Sequence, residues 1–276
     1  MTTITKSIMS KSSILEGKHA VVFGAGGSIG SAVAREFAAE GAEVFLAGRT
    51  KSNVEEVAKQ ITAAGGKAHA AVIDALDDTV VNKYLDGIVK QTGKIDIVFN
   101  ATGPLAKEYG NGKNAVELPI EEFMVPVNTV VKAHFISARA GARHMIKQRS
   151  GVIIFLTGSP ARGHVPGASA IGAAFGAIET LMENLAVEWS LAGVRVVCVR
   201  TTANVDSRTI QDSTEVAASK MNITQGEAIA RIANFNFFKV PATVQDTANA
   251  AVLIASDRAR MLTGTVVNAT AGAALD

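Results

Sequence analysis

Cysteine is all but missing from this sequence. Cys198 is the single one in 276 residues, so no internal disulfide can form and a reducing compartment, the cytoplasm, is expected. A dominant charge is missing too. Lys and Arg number 27 against 25 Asp and Glu, a net of +2, which argues against nucleic acid as a partner. No apolar run approaches the roughly 18 residues of a membrane span. The polar opening "MTTITKSIMSKSSILEGK" lacks the apolar centre of a secretory signal. His19, His69, His134 and His144 are scattered without metal-ligand spacing and read as structural, so no metal is expected.

What is present is apolar sequence in short, regular pieces. Hydrophobic residues make up 48% of the chain, enough for one large core, so a single domain over residues 16–276 is expected behind a mobile tail of residues 1–15. The runs "HAVVFG", "EVFLAG", "KAHAAVID", "IDIVFN", "GVIIFLTG", "VRVVCVR" and "GTVVNA" read as strands covered on both faces. Segments such as "SAVAREFAAEGA" lie between them, apolar at helical spacing and ended by Gly. Strand and helix in alternation predict right-handed crossovers and a doubly wound parallel α/β fold. Two regions break the rhythm. Residues 102–118 read as a loop. Residues 201–242, with the aromatic "ANFNFFKVPA", read as a lid or substrate wall, or else as a helical pair packed for an oligomer contact.

"VVFGAGGSIGSAVAREF" places a glycine-rich turn between the first strand and the first helix. Gly24 and Gly26 permit the turn, Gly30 lets the helix lie close to the sheet, and the free N–H groups of the helix start can hold a pyrophosphate. The second strand ends at Arg49, followed by Thr50 and Lys51. A carboxylate there would bind the ribose hydroxyls of NAD, whereas cationic and hydroxyl donors suit a 2′-phosphate, so NADP(H) is the expected cofactor.

These motifs together resemble the short-chain dehydrogenase/reductase family over residues 16–272, nearly the whole chain. The resemblance implies a three-layer Rossmann fold and an oxidoreductase acting on a small molecule. "GAGGSIG" matches the family's turn with Ser28 in place of its middle glycine. Ser28, Ile29 and Gly30 are therefore expected at the diphosphate, with Ser28 capping the helix and donating to a phosphate. Asp74 matches the acid that contacts the adenine. "NATG", with Asn100, Ala101 and Gly103, resembles the segment beside the cofactor, and Asn128 matches the asparagine of a proton relay. A homotetramer or dimer built on the fourth and fifth crossover helices is also implied, and the small residues of "SAIGAAFGAIETLMENLAVEW" suit such packing.

One part of the pattern is not met. Family members carry a serine after the fifth strand, then a tyrosine and a lysine whose charge lowers the tyrosine pKa. Anchored on Pro166 and Gly167, those positions fall on Gly158, Ile171 and Phe175, with Thr157 and Ser159 flanking the first. No tyrosine follows Tyr109, and no lysine lies between Lys147 and Lys220. Thr157, Ile171 and Phe175 are then expected to line a greasy substrate pocket, with Asn128, Ser159 and His164 as polar helpers, and Tyr109 as a further acid if it reaches inward. Hydride transfer to or from an apolar carbonyl, enone or iminium is the leading expectation. A non-redox isomerisation, elimination or cyclisation on the same scaffold, or a silent NADP(H)-binding protein, stays open.

Overall fold

The computed structural model describes residues 13–163 and 165–276, Lys220 by its backbone alone. Each of the seven apolar runs forms a strand: β1 (His19–Phe23), β2 (Glu43–Gly48), β3 (Lys67–Val72), β4 (Ile97–Asn100), β5 (Gly151–Gly158), β6 (Val194–Thr201) and β7 (Thr265–Ala269). They make one sheet in the order β3-β2-β1-β4-β5-β6-β7, with every neighbouring pair parallel. Successive side chains of a strand point to opposite faces, and both faces of the inner strands are covered here, while the edge strand β3 is largely exposed. Val21, Phe23, Ile153 and Phe155 enter one core with Leu85, Met145 and Ile178. Ala20, Val22, Phe99 and Ile154 enter the other with Phe37, Ile61 and Ile254. That is why these strands read as unbroken apolar runs, and it gives the three layers of a Rossmann-type fold.

The helices are α1 (Ser28–Ala39), α2 (Lys51–Ala63), α3 (Asp78–Thr92), α4 (Ile120–Pro126), α5 (Lys132–Gln148), α6 (Ser169–Trp189), α7 (Arg208–Met221), α8 (Gln225–Ala233) and α9 (Val244–Ala255). Asp77 caps α3 by accepting from the Val80 N–H at 3.0 Å, and Gly93 ends it at φ 83°. Between α4 and α5 the chain makes a π turn over Val127–Val131. Pro126, inside the helix, has no N–H for the usual ladder, and the register slips there.

One boundary and one segment's composition differ from the sequence reading. Leu15 is fully buried and donates to the Glu40 carbonyl at 2.9 Å, so the domain starts before residue 16. Ser169–Ala192 is long and apolar enough by composition to cross a membrane. Its acidic residues keep it from reading as one apolar run. Ala174, Ile178, Met182 and Leu185 of α6 are spent in the core against β5 and β6. The segment 201–242 is largely helical, as α7 and α8, and 102–118 is loop with short 3-10 turns at Ala106–Tyr109 and Ala115–Glu117.

The sheet order sets the site. β1 has β2 on one side and β4 on the other, so the connections leave its two edges in opposite directions and open a crevice at the carboxyl ends of β1 and β4.

Candidate active site at the carboxyl end of the sheet

At the crevice the backbone comes unusually close to itself. Gly24 leaves β1 at φ 71°, and a Cβ there would stand 2.7 Å from the Ala101 carbonyl carbon and 2.9 Å from the Thr102 nitrogen. A Cβ at Gly30 would strike the Gly24 carbonyl, and one at Gly26 would stand 2.8 Å from Cβ of Asn53. These three positions therefore have no room for a side chain. Gly27 is the N-cap residue of α1, without a side-chain cap bond, which leaves the N–H groups of Ser28, Ile29 and Gly30 turned outward. Ser28 does not cap the helix as expected. It lies one position too far along, and its Oγ instead accepts from the backbone N–H of Arg208 at 3.1 Å.

Arg49 is exposed just past β2 and makes no hydrogen bond or ion pair among the described residues, whereas Lys51 pairs with Glu55 at 3.7 Å. Thr50 is the exposed N-cap residue of α2 with no side-chain cap bond. Asp74 is exposed and accepts from the Leu76 N–H at 3.0 Å. Asn100 is buried and its side chain is fully engaged: Nδ2 donates to the Ala133 carbonyl and to Ser137 Oγ, and Oδ1 accepts from the Thr102 N–H at 2.7 Å. Asn100 thus shapes the turn that carries Ala101 and Gly103. Thr102 was missed from sequence. Its Oγ1 is buried with no partner among the described residues, two residues past β4 and against the Gly24 turn. A glycine cradle, outward N–H groups, an Arg49 unpaired among the described residues and an orphaned Thr102 hydroxyl together fit a nicotinamide dinucleotide.

The other half of the crevice is hydrocarbon. A Cβ at Gly158 would lie 2.9 Å from Cε2 of Phe175, so the Phe175 ring fills the volume that a serine side chain would need. Ile171 is 7% exposed and belongs to the core. Thr157, expected beside them, is instead fully buried and donates to Glu179 Oε1 at 3.0 Å. Ser159 is half-buried in a 3-10 turn and Asn128 is exposed on the π turn, neither with a side-chain hydrogen bond among the described residues. His164 lies outside the described residues. Tyr109 does fold inward, and burial pushes its pKa up to about 12. Its hydroxyl therefore keeps its proton at neutral pH and can donate but cannot serve as a base.

Two buried polar groups lie underneath this wall: Arg200, which the sequence did not single out, and His134, which it marked as structural. Arg200, 1% exposed, pairs with Glu179 at 2.8 and 2.9 Å and reaches Asp276. The Glu179 bond raises the guanidinium pKa further above its ordinary value. An arginine alternating with valines in "VRVVCVR" was the available signal, since a strand covered on both faces must supply it an acid. His134 is wholly buried. Its Nδ1 is 2.8 Å from the Val130 carbonyl and its Nε2 accepts from the Leu156 N–H at 3.3 Å. Burial holds its pKa down to about 4, so a neutral ring protonated on Nδ1 ties the π turn to β5.

Known proteins share this fold. The short chain dehydrogenase family profile matches residues 18–218. Short chain aldehyde dehydrogenase 1 of Euphorbia lathyris is 28% identical over 252 residues, 91% of this chain and 85% of its own. A putative NAD(P)-dependent gluconate 5-dehydrogenase from Beutenbergia cavernae, solved with NADP at low occupancy, superposes with TM-score 0.80 at 28% identity, over 94% of this chain and 98% of that one. NAD+-bound xylitol dehydrogenase has the same fold, with TM-score 0.83 at 23% identity over 92% and 98% of the two chains. The protein belongs to the short-chain dehydrogenase family, and it is an oxidoreductase of that type.

Proposed function

We propose that the protein is an NADP(H)-dependent oxidoreductase with an atypical active site, acting on a largely apolar small molecule. Arg49 supports the cofactor choice: an exposed, unpartnered guanidinium at the end of β2 offers a bidentate grip for a 2′-phosphate. Ser28, Ile29 and Gly30 would hold the diphosphate, and Thr102 has a hydroxyl to spend on the cofactor. Bound there, the dinucleotide supplies or accepts a hydride.

One observation carries the atypical chemistry, the Phe175 ring packed onto Gly158 beside buried Ile171. Hydrocarbon stands where relatives of this family place a proton donor and its cationic partner. An iminium carbon is already positive. Hydride addition brings both electrons of the new C–H bond, the C=N π pair becomes the nitrogen lone pair, and a neutral amine forms with no acid required. Ile171 and Phe175 exclude water from such a carbon, while Ser159 and Asn128 offer a hydroxyl and an amide to orient polar parts of the substrate.

The test is a panel of ketones, enones and cyclic iminium ions with NADPH, followed by the absorbance of the reduced nicotinamide. Iminium reduction should exceed ketone reduction by at least about 100-fold, the share that a positioned general acid contributes. Equal rates overturn the proposal. Substrate turnover without loss of NADPH would favour isomerisation, elimination or cyclisation, and stabilisation by NADPH with no turnover a silent binder.

We also place a homodimer or tetramer contact on α5 and α6. Phe135 is 39% exposed there, and a groove runs between it and Gly176, Ala177 and Leu181. The unpaired, buried Cys198 suits a reducing compartment, and we assign the protein to the cytoplasm.

A further inference from the structure

We infer that Ser28 is a two-sided link, joining the cofactor's phosphate to the first helix of the lid. The inference rests on the dinucleotide reading above and extends it to residues 208–221.

Arg208 is the first residue of α7, and its N–H is one of the donors that a helix cannot satisfy internally. Ser207 already caps that helix by accepting from the Ile210 N–H at 3.4 Å. The Arg208 N–H goes to Ser28 Oγ, 180 residues earlier in the chain, at 3.1 Å. Ser28 thereby spends a lone pair on the lid, while its own proton has no acceptor among the described residues. That proton leaves from the same turn as the outward N–H groups of Ile29 and Gly30. The starts of α1 and α7 also meet at this hydroxyl, and both ends of the helix dipoles are positive there. The anion that fits is a phosphate of the dinucleotide, bound through the chain Arg208 N–H to Ser28 Oγ, and Ser28 O–H to phosphate oxygen. A glycine at position 28 could make neither bond. Cofactor affinity therefore depends on the lid being docked, and lid order depends on the cofactor.

The experiment is calorimetric titration of NADPH into wild type, Ser28→Gly, Arg208→Pro, the double variant and Arg208→Ala. Proline is well tolerated as the first residue of a helix, and Ser207 before it is already extended at φ −78°, ψ 143°. Arg208→Pro thus deletes the donor and leaves α7 able to form. Each of the first two variants should weaken binding by about 2- to 10-fold, the range of one hydrogen bond. Because they break the same link, the double variant should be no weaker than the weaker single. Arg208→Ala keeps the N–H and should bind as wild type. Multiplying effects, or wild-type affinity in Arg208→Pro, overturn the link; so does equal loss in Arg208→Ala, which would make the guanidinium the agent. Should Arg208→Pro not fold, hydrogen exchange decides with NADPH saturating. Amides 209–213 should be protected in wild type and not in Ser28→Gly, and equal protection refutes the link. If wild type binds no NADPH at all, the cofactor reading itself falls, and the link with it.

Discussion

The two halves of the crevice are built from different material. At the phosphate half, beside β1 and β2, the backbone does the work: three glycines, a helix start and a single free arginine. At the chemistry half, beside β5 and α6, side chains do it, with Phe175 on Gly158, buried Ile171, and the Glu179–Arg200 pair beneath. The first kind tolerates little change, since any Cβ at Gly24 or Gly30 meets backbone. The second kind can be exchanged by coupled substitutions that keep volume and charge balanced. On the atypical site we propose, this is why the phosphate half keeps the glycines of the family's turn while the chemistry half is free to depart from its pattern.

The largest expected effect lies under the chemistry half. Glu179→Ala leaves Arg200 buried with Asp276 as its remaining carboxylate, and stability to urea should fall by about 3–5 kcal/mol. NADPH affinity measured below the transition should hold. An equal collapse of affinity would mean that the halves are not separable.

Acid gives the next effect, through His134. Its pKa is about 4 folded against an ordinary 6.5, so the unfolded chain binds the extra proton as pH falls through that window. Stability is full above about 6.5 and declines toward 4, by about 3 kcal/mol in all. Thermal melts across this range should show the slope in wild type and a flatter one in His134→Gln.

A smaller effect isolates the coupled substitution. Gly158→Ser alone pushes into the Phe175 ring and should cost about 1–3 kcal/mol, whereas in a Phe175→Ala background the cost should shrink. Additive costs would show that the ring and the glycine are not a packed pair. Adding Ile171→Tyr and Phe175→Lys to Gly158→Ser should bring a gain of ketone reduction, which tests whether the rest of the machinery is intact. Smallest of all, Arg49→Ala should weaken NADPH about tenfold, or about 1.4 kcal/mol, with NADH binding and melting temperature unchanged.

The sequence made the sheet legible because a strand covered on both faces leaves a continuous apolar run, as β1, β2, β4 and β5 do, while the edge strand β3 is largely exposed and only weakly apolar. Gly24 and Gly30 were legible for a related reason: a close backbone approach leaves glycine as the one residue that fits. What stayed hidden depends on distance in space. Nothing local ties Ser28 to Arg208, or Gly158 to the ring seventeen residues on. Thr157 reads as a pocket residue only until the facing of β5 is known, when it turns toward Glu179. Pro126 did carry a readable signal, a missing N–H inside a helical pattern, and the π turn under Asn128 follows from it.

The central proposal is a dinucleotide held at the glycine turn with its extra phosphate on Arg49. Titrating wild-type protein with NADPH and with NADH in the same calorimeter tests that claim. Saturable binding with NADPH at least about tenfold tighter is the predicted result, the worth of one charge-assisted contact. Equal affinities, tighter NADH, or no heat from either nucleotide would contradict it.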